Sequence, residues 1–349
     1  AWTYQHFSGL KEMPQFGWDS VTVPGAVHAW VTLSKKFGKL PFADLFVPGI
    51  EYAHKGFLVS PITAYRWSEA QMKYQEYPDF CKTFLPMGKS PLSGELFCCP
   101  YQAATLAEIA ESQGESFYRG NLANKIVECA RSNGGAITPE DLASHESVWV
   151  EPISIDYRNS CLYEIPPNGQ GLAALMSLGM LHHHGIQKYP VDSADSVHLQ
   201  IEAMKIAFAQ AHRHIADPGY MSVPYAEFLQ ADFLAHQAGK IKMDLASHGV
   251  PAIPTDHGTV YLSTADKDGM MVSFIQSNYL GFGSGVVIPN TGISMQNRGF
   301  GFAIEKGHPN CVGGGKRPYH TIIPGFVTYE DRPLMSFGVM GGHMQPQGH

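Results

Sequence analysis

Thr259 stands directly after Gly258 and begins the alternation Thr259-Val260-Tyr261-Leu262-Ser263, which reads as a strand. Asp266-Lys267-Asp268-Gly269 follows with turn chemistry, and Met270 to Ser277 read as the returning strand. The final Asp-Gly is expected to close a tight hairpin, because both residue types tolerate positive φ. A hydroxyl residue at the lip of a hairpin, behind a small glycine, suits an N-terminal nucleophile released when the chain cuts itself. Its freed α-amine would then act as the hydroxyl's own general base. The local alternative is a surface hairpin that happens to start with threonine.

Other reactive residue types are more simply explained. His182-His183-His184 offers three imidazoles, but neighbours on a helix point about 100° apart and cannot converge on one ion. The run sits at a helix end before Gly185, where histidines complement the dipole. His198, His212 and His214 would need a serine for a Ser-His-Asp triad. No G-x-S-x-G elbow occurs, and Gly283-Ser284-Gly285 lacks the strand–turn–helix setting. Gly313-Gly314-Gly315 before Lys316-Arg317 misses the P-loop spacing. The six cysteines, Cys81, Cys98, Cys99, Cys129, Cys161 and Cys311, show no CxxC. They indicate neither a zinc site nor a disulfide framework, and Cys98-Cys99 reads as packing. No metal and no cofactor is expected.

The elements that must position Thr259 divide at a linker. Before it the chain reads as mainly helical: Gly25–Phe37, Leu45–His54, Ala103–Gln113 and Asn121–Ser132 carry apolar residues at helical spacing, with Pro24 and Pro41 at entries. Trp30 and Phe37 read as core. Thr138-Pro139-Glu140-Asp141 is a helix start, with a capping threonine, proline in the first turn and acids at the positive end. Val148 to Tyr157 alternates as a strand. A Pro166–Gly171 loop leads into a helix over Leu172–His182, and longer helical patterns follow over Asp195–Arg213 and Ala226–Ala238. Val250 to Asp256 reads as a linker, and beyond Thr259 strands are punctuated by glycine. The expected division is therefore 1–258, mostly helical, and 259–349, strand-rich, together one structural domain.

With 349 residues, 44% hydrophobic and 16% charged, the chain can build an ordinary large globular core. A formal net charge of −7 without a lysine/arginine run argues against nucleic acid as partner. No apolar stretch approaches the roughly 18 residues of a membrane-spanning helix. The opening at Ala1 and the close at His349 both read as cuts, which leaves the compartment open.

Several ordered motifs resemble the γ-glutamyltranspeptidase family of N-terminal-nucleophile hydrolases. They are Val23-Pro-Gly-Ala-Val27, Phe37-Gly-Lys-Leu-Pro-Phe42, Pro48, Gly56-Phe-Leu-Val-Ser-Pro61, Phe117-Tyr-Arg-Gly120 and Gly134-Gly-Ala-Ile-Thr-Pro-Glu-Asp-Leu142. Pro166-Pro167 with Gly169-Gln-Gly171, His198, Glu202-Ala-Met204, Arg213 and Asp217-Pro218 continue the series. Gly281-Phe-Gly-Ser-Gly285, Lys316-Arg-Pro318 and Gly341-Gly342 complete it. The resemblance implies an α+β fold, the αββα sandwich, and self-cleavage between Gly258 and Thr259 into two subunits that stay associated. It implies an acyl-enzyme on Thr259, a supporting hydroxyl from Ser277 and an oxyanion hole of backbone N–H groups around Gly341-Gly342. One such donor is typically worth about 3–4 kcal/mol. The partners would be a small-molecule amide, γ-glutamyl or glutathione-like, and water or an amine acceptor.

The departures bear on the acyl group. Where the family holds a substrate α-amino group with Gln-x-x-Asp, this chain has Gln296-Asn297-Arg298-Gly299-Phe300-Gly301, so Arg298 and Gly301 occupy those positions. Losing a charge-assisted contact of that kind costs on the order of 2–5 kcal/mol in binding. Tyr279 stands where the family has asparagine, with Asn278 adjacent. His320 and Thr321 replace its paired serines, and Tyr261 replaces a histidine. The family's carboxylate-gripping arginine belongs to an opening segment outside this chain. These residues suit an acidic acyl group lacking an α-amine, as in a cephalosporin- or glutaryl-type acylase. A further alternative is a non-catalytic, truncated member.

Overall fold

The computed structural model describes residues 1–248 and 258–349. The expected linker 250–256 and the residues Asp256 and His257 lie outside the described residues. The chain folds into two compact units, each assembled from distant segments: residues 1–2, 13–148 and 280–300 in one, and 3–12, 149–279 and 301–349 in the other.

The first unit is mainly helical. Asn121–Ser132 buries Leu122, Ala123, Ile126 and Ala130, the one-sided spacing of an amphipathic helix. Thr138 and Asp141 form a reciprocal capping box ahead of Pro139–Ala143, as their spacing predicts. Trp18, Phe46, Phe117 and Leu142 share one apolar cluster with Val286, Ile288 and Met295. A second cluster joins Trp67, Tyr74 and Phe80 to Phe97. Phe97 belongs to a short strand pair, β1 (Phe57–Leu58) with β2 (Leu96–Phe97). Trp30 packs partly buried as expected. Phe37 does not: it ends the helix Ala26–Phe37, 56% exposed, with the Lys36 ammonium 5.3 Å from its ring centre.

The second unit holds the larger sheet. Strands β3 (Ile153–Tyr157), β4 (Ser160–Glu164), β7 (Gly325–Tyr329) and β8 (Arg332–Phe337) pair antiparallel in that order. The expected strand from Val148 starts only at Ile153, because Pro152 has no N–H to offer a ladder. Against one face lies Gly171–His184, apolar almost all round and buried nearly throughout, as a central helix must be. Gly179 lets it close on Ile155 and Leu234, whose methyl carbons lie 2.7 Å from where a Cβ would stand. The helix Ala194–His214, capped by Ser193, packs beside it.

Strands β5 (Thr259–Ala265) and β6 (Met271–Ser277) make a separate hairpin. Ser263 bonds Ser336, and the Ser273 hydroxyl donates to the Phe337 carbonyl at 3.1 Å. Ile155, Leu162 and Val327 align across the ladder on the side of the central helix, and Ser336 points to the opposite side. Helix, four-stranded sheet and hairpin are thus stacked in order, three layers of an αββα sandwich. Among the described residues, no helix is long and apolar enough to cross a membrane.

Candidate active site

Register places Thr259 at the start of β5, opposite Ser277, with unbroken pairing to Ala265 opposite Met271. Directly opposed side chains share a face, and Thr259 Oγ1 and Ser277 Oγ are hydrogen-bonded at 3.0 Å. Ser277 Oγ also accepts the Tyr279 N–H at 2.8 Å and lies 3.3 Å from the Gly258 carbonyl oxygen. The Asn278 N–H donates to that same carbonyl at 3.3 Å, and the Gly258 N–H donates to the Tyr279 carbonyl at 3.1 Å. The Gly258–Thr259 peptide therefore has the hydroxyl pair of Thr259 and Ser277 beside it. A hydroxyl and a backbone N–H face the oxygen that would become negative on attack.

Tyr279 sits at φ 77, uncommon for so bulky a residue. Its backbone bonds to Ser277 and Gly258 hold it there, together with a 2.7 Å bond between its hydroxyl and His343 Nε2. The side chain is turned inward, 3% exposed. His343 directly follows Gly341-Gly342, so this bond ties the glycine turn to the Ser277 end of the hairpin. Gly342 has φ 57, a left-handed conformation that favours glycine. Behind the turn, Tyr319 stacks on His343 at 5.6 Å and on His212 at 5.5 Å. Burial pushes the Tyr319 phenol well above its usual range. Burial, then the nearby His308, pushes the His212 imidazolium down, favouring the neutral ring.

His320 and Thr321 come to the same region by way of the loop before the central helix. The His320 N–H donates to the Asn168 carbonyl at 2.9 Å, and the Asn168 side chain donates to the Pro318 carbonyl at 2.7 Å. Thr321 is buried, and its carbonyl accepts from Gln170. Thr259, Ser277, Asn278, Tyr279, His320, Thr321, Gly341 and Gly342 all belong to the second unit. Arg298 belongs to the first, buried in the turn Arg298–Gly301 with its N–H on Gln296 Oε1 at 2.6 Å. Gln296 is fixed in turn by donating to the Thr22 carbonyl at 2.6 Å. Tyr261, on the Thr259 face of β5, bonds Ser273 at 3.0 Å and packs over Gly338.

The other candidates are occupied structurally. His198 Nε2 bonds the Lys242 carbonyl at 2.7 Å, and His184 Nε2 the Ala238 carbonyl at 2.8 Å. Among the described residues no group of three or more histidine, cysteine or acidic side chains could hold a metal ion. Sequence reading placed Gln170 only within the Gly169-Gln-Gly171 motif, with no role, and singled out neither Tyr319 nor His343. The available signals were a polar residue between glycines at the mouth of an apolar helix, and an imidazole following Gly-Gly.

The family model described as gamma-glutamyltranspeptidase matches residues 1–349. The glutathione hydrolase-like YwrD proenzyme of Bacillus subtilis is 34% identical over 98% of this chain and 65% of its own length. The oxamate amidohydrolase proenzyme of Klebsiella pneumoniae is 35% identical, over 99% and 66%. The crystal structure of cephalosporin acylase from Bacillus halodurans superposes with a TM-score of 0.93 at 46% identity, over 99% of this chain and 65% of that one. The chain thus spans just under two thirds of the length of these relatives.

Proposed function

The chain belongs to the γ-glutamyltranspeptidase family, and from that membership we propose that it is a self-processing amide hydrolase with Thr259 as nucleophile. The observation that carries the reading is the Thr259–Ser277 hydroxyl pair beside a Gly258 carbonyl that faces two donors. Attack of Thr259 Oγ on that carbonyl carbon transfers the Gly258 acyl group from nitrogen to oxygen and breaks the peptide bond. Water then hydrolyses the ester, leaving a Gly258 carboxylate and a free Thr259 α-amine. An N-terminal amine has an unperturbed pKa of about 7.7–8.0, so near neutral pH a useful fraction is free to accept a proton.

In turnover the same hydroxyl attacks a substrate amide and its proton passes to the α-amine. The oxyanion is received by N–H groups of the Gly341-Gly342 turn, and the amine leaving group takes up the proton. Water or an amine acceptor then releases the acyl group. Ser277 steadies the nucleophile, Asn278 and the 320–321 segment border the acyl group, and γ-glutamyl amides such as glutathione are candidate substrates. The relatives' names mention glutathione, oxamate and cephalosporin, which differ in acyl group but share an amide carbonyl.

A second reading, an acylase for acidic acyl groups without an α-amine, follows from the sequence: Gly301 stands where the family has an acid, and the cation Arg298 stands three residues before it. Denaturing electrophoresis with N-terminal sequencing tests the first step: two pieces are expected, the smaller starting at Thr259. Thr259→Ala should remain one uncut chain with no turnover, and hydrolysis surviving in that variant rules the nucleophile out. A wild-type chain that stays uncut and inert would favour the non-catalytic alternative. Comparing γ-glutamyl and glutaryl anilides decides the acyl group, with equal or better use of the glutaryl compound supporting the acylase and γ-glutamyl-only turnover opposing it.

A further inference from the structure

We infer that Gln170 is a positioning residue that sets the oxyanion turn and the acyl-binding segment against each other, an inference that rests on Thr259 acyl transfer as proposed above. Gln170 precedes the central helix and is completely buried. Its Nε2 donates to the carbonyls of Gly342 and Thr321, each at 2.8 Å. Its Oε1 accepts the Tyr319 hydroxyl at 3.0 Å, and its own N–H donates to the His320 carbonyl at 3.0 Å. The amide cannot be turned over, because the flipped group would set its oxygen against two carbonyl oxygens. Both N–H groups are therefore committed, one to each of the two segments that would touch the substrate.

The geometry explains why this matters for chemistry. A peptide group is planar, so fixing the Gly342 carbonyl fixes the plane of the 342–343 peptide. Gly342 is left-handed and, as glycine, has wide conformational freedom of its own. His343 closes the turn from the other side through Tyr279, and its ring stacks on the Tyr319 that holds Gln170. The turn is thus held between two buried polar anchors, and donors that await a transition state are effective only when held in place beforehand.

Gln170→Met keeps the bulk and removes both donors. Its kcat on an anilide substrate, counted per cleaved molecule, should fall about 10–100-fold with KM changed less than about threefold. Gln170→Glu supplies one donor while protonated and opposes both carbonyls when ionised. Its kcat relative to wild type should therefore decline as pH rises, in protein that circular dichroism shows to be folded throughout. A purely structural role would lower the cleaved, folded fraction and leave the kcat of that fraction, and the ratio's pH dependence, flat. Should neither variant fold, Tyr319→Phe removes only the hydroxyl that holds Oε1, and a kcat loss of about 3–10-fold at constant KM is expected. An active wild type whose variants keep kcat within about twofold overturns the role of Gln170 alone. A wild type that neither cuts itself nor turns over substrate overturns the Thr259 reading and this inference with it.

Discussion

At the scale of single residues, the proposed chemistry of Thr259 leans on Ser277. Its oxygen touches Thr259 Oγ1, the Tyr279 N–H and the Gly258 carbonyl, so in the proposed reaction it would order the nucleophile and face the bond to be cut. Ser277→Ala should slow both self-cleavage and kcat/KM about tenfold, the equivalent of one hydrogen bond of about 1–1.5 kcal/mol. Ser277→Thr should retain most activity, since the hydroxyl stays where it is needed. If the Thr259 amine is the base, kcat/KM rises with pH as that amine loses its proton, through about 7.7–8.0 when unperturbed. Removing the Ser277 hydroxyl should lower the profile without abolishing that rise. Steady-state kinetics of the cleaved proteins between about pH 6 and 9 checks both points, and a flat wild-type profile contradicts the amine as base.

At the scale of elements, the hairpin that carries Thr259 depends on one left-handed residue. Gly269 has φ 87, whereas Asp268 is not left-handed. The Gly269 N–H instead closes a turn on the Asp266 carbonyl at 3.2 Å, and Asp266 Oδ1 accepts the N–H groups of Asp268 and Met270. This is a three-residue loop ending in left-handed glycine, longer than the two-residue turn that Asp-Gly alone suggests. Nothing would obstruct a Cβ at Gly269, so Gly269→Ala should cost about 1–2 kcal/mol through its backbone alone, and Asp268→Ala less than about 0.5 kcal/mol. Chemical denaturation of the two variants measures the difference, and equal stabilities contradict the assignment. Local elements such as this hairpin, Asn121–Ser132 and the Thr138 cap were legible because their signals lie within a few residues. The strand expected from Val148 overran Pro152, and Phe37 faced outward, because periodicity does not record where an element stops meeting a partner. The bond from Gln170 to Gly342 spans 172 residues of sequence, and no local pattern announces it.

At the scale of the molecule, the proposed cut falls inside one compact unit. Residues 149–248 and 301–349 belong to the same unit on opposite sides of Gly258–Thr259. Strand β4 from the first piece pairs with β7 from the second along Ser160–Tyr163. Tyr319 packs in the apolar cluster of Leu172, Met176 and Leu199, and Glu164 bonds His349 in the interior. Such a cut would break one covalent bond and leave in place the sheet and core that join the two segments. Asp217 and Arg317 add a bridge across the cut at 3.1 Å. Burial alone would raise the Asp217 carboxyl, but the Arg317 side-chain and backbone bonds and its charge outweigh this and hold it below its usual range. A carboxylate depressed in the folded state contributes above its unfolded pKa of about 3.9, and the contribution is lost as pH falls through the lower folded value. The bridge should therefore remain intact from neutral pH down to about 5. Being half-exposed, it is worth at most about 1 kcal/mol, so high salt should not part the pieces. Size-exclusion chromatography of the cleaved protein at about pH 7 and again near pH 5, with and without about 1 M salt, should give one peak containing both pieces, separable only in denaturant. Elution of two free pieces in native buffer would mean that the shared sheet and core do not hold them.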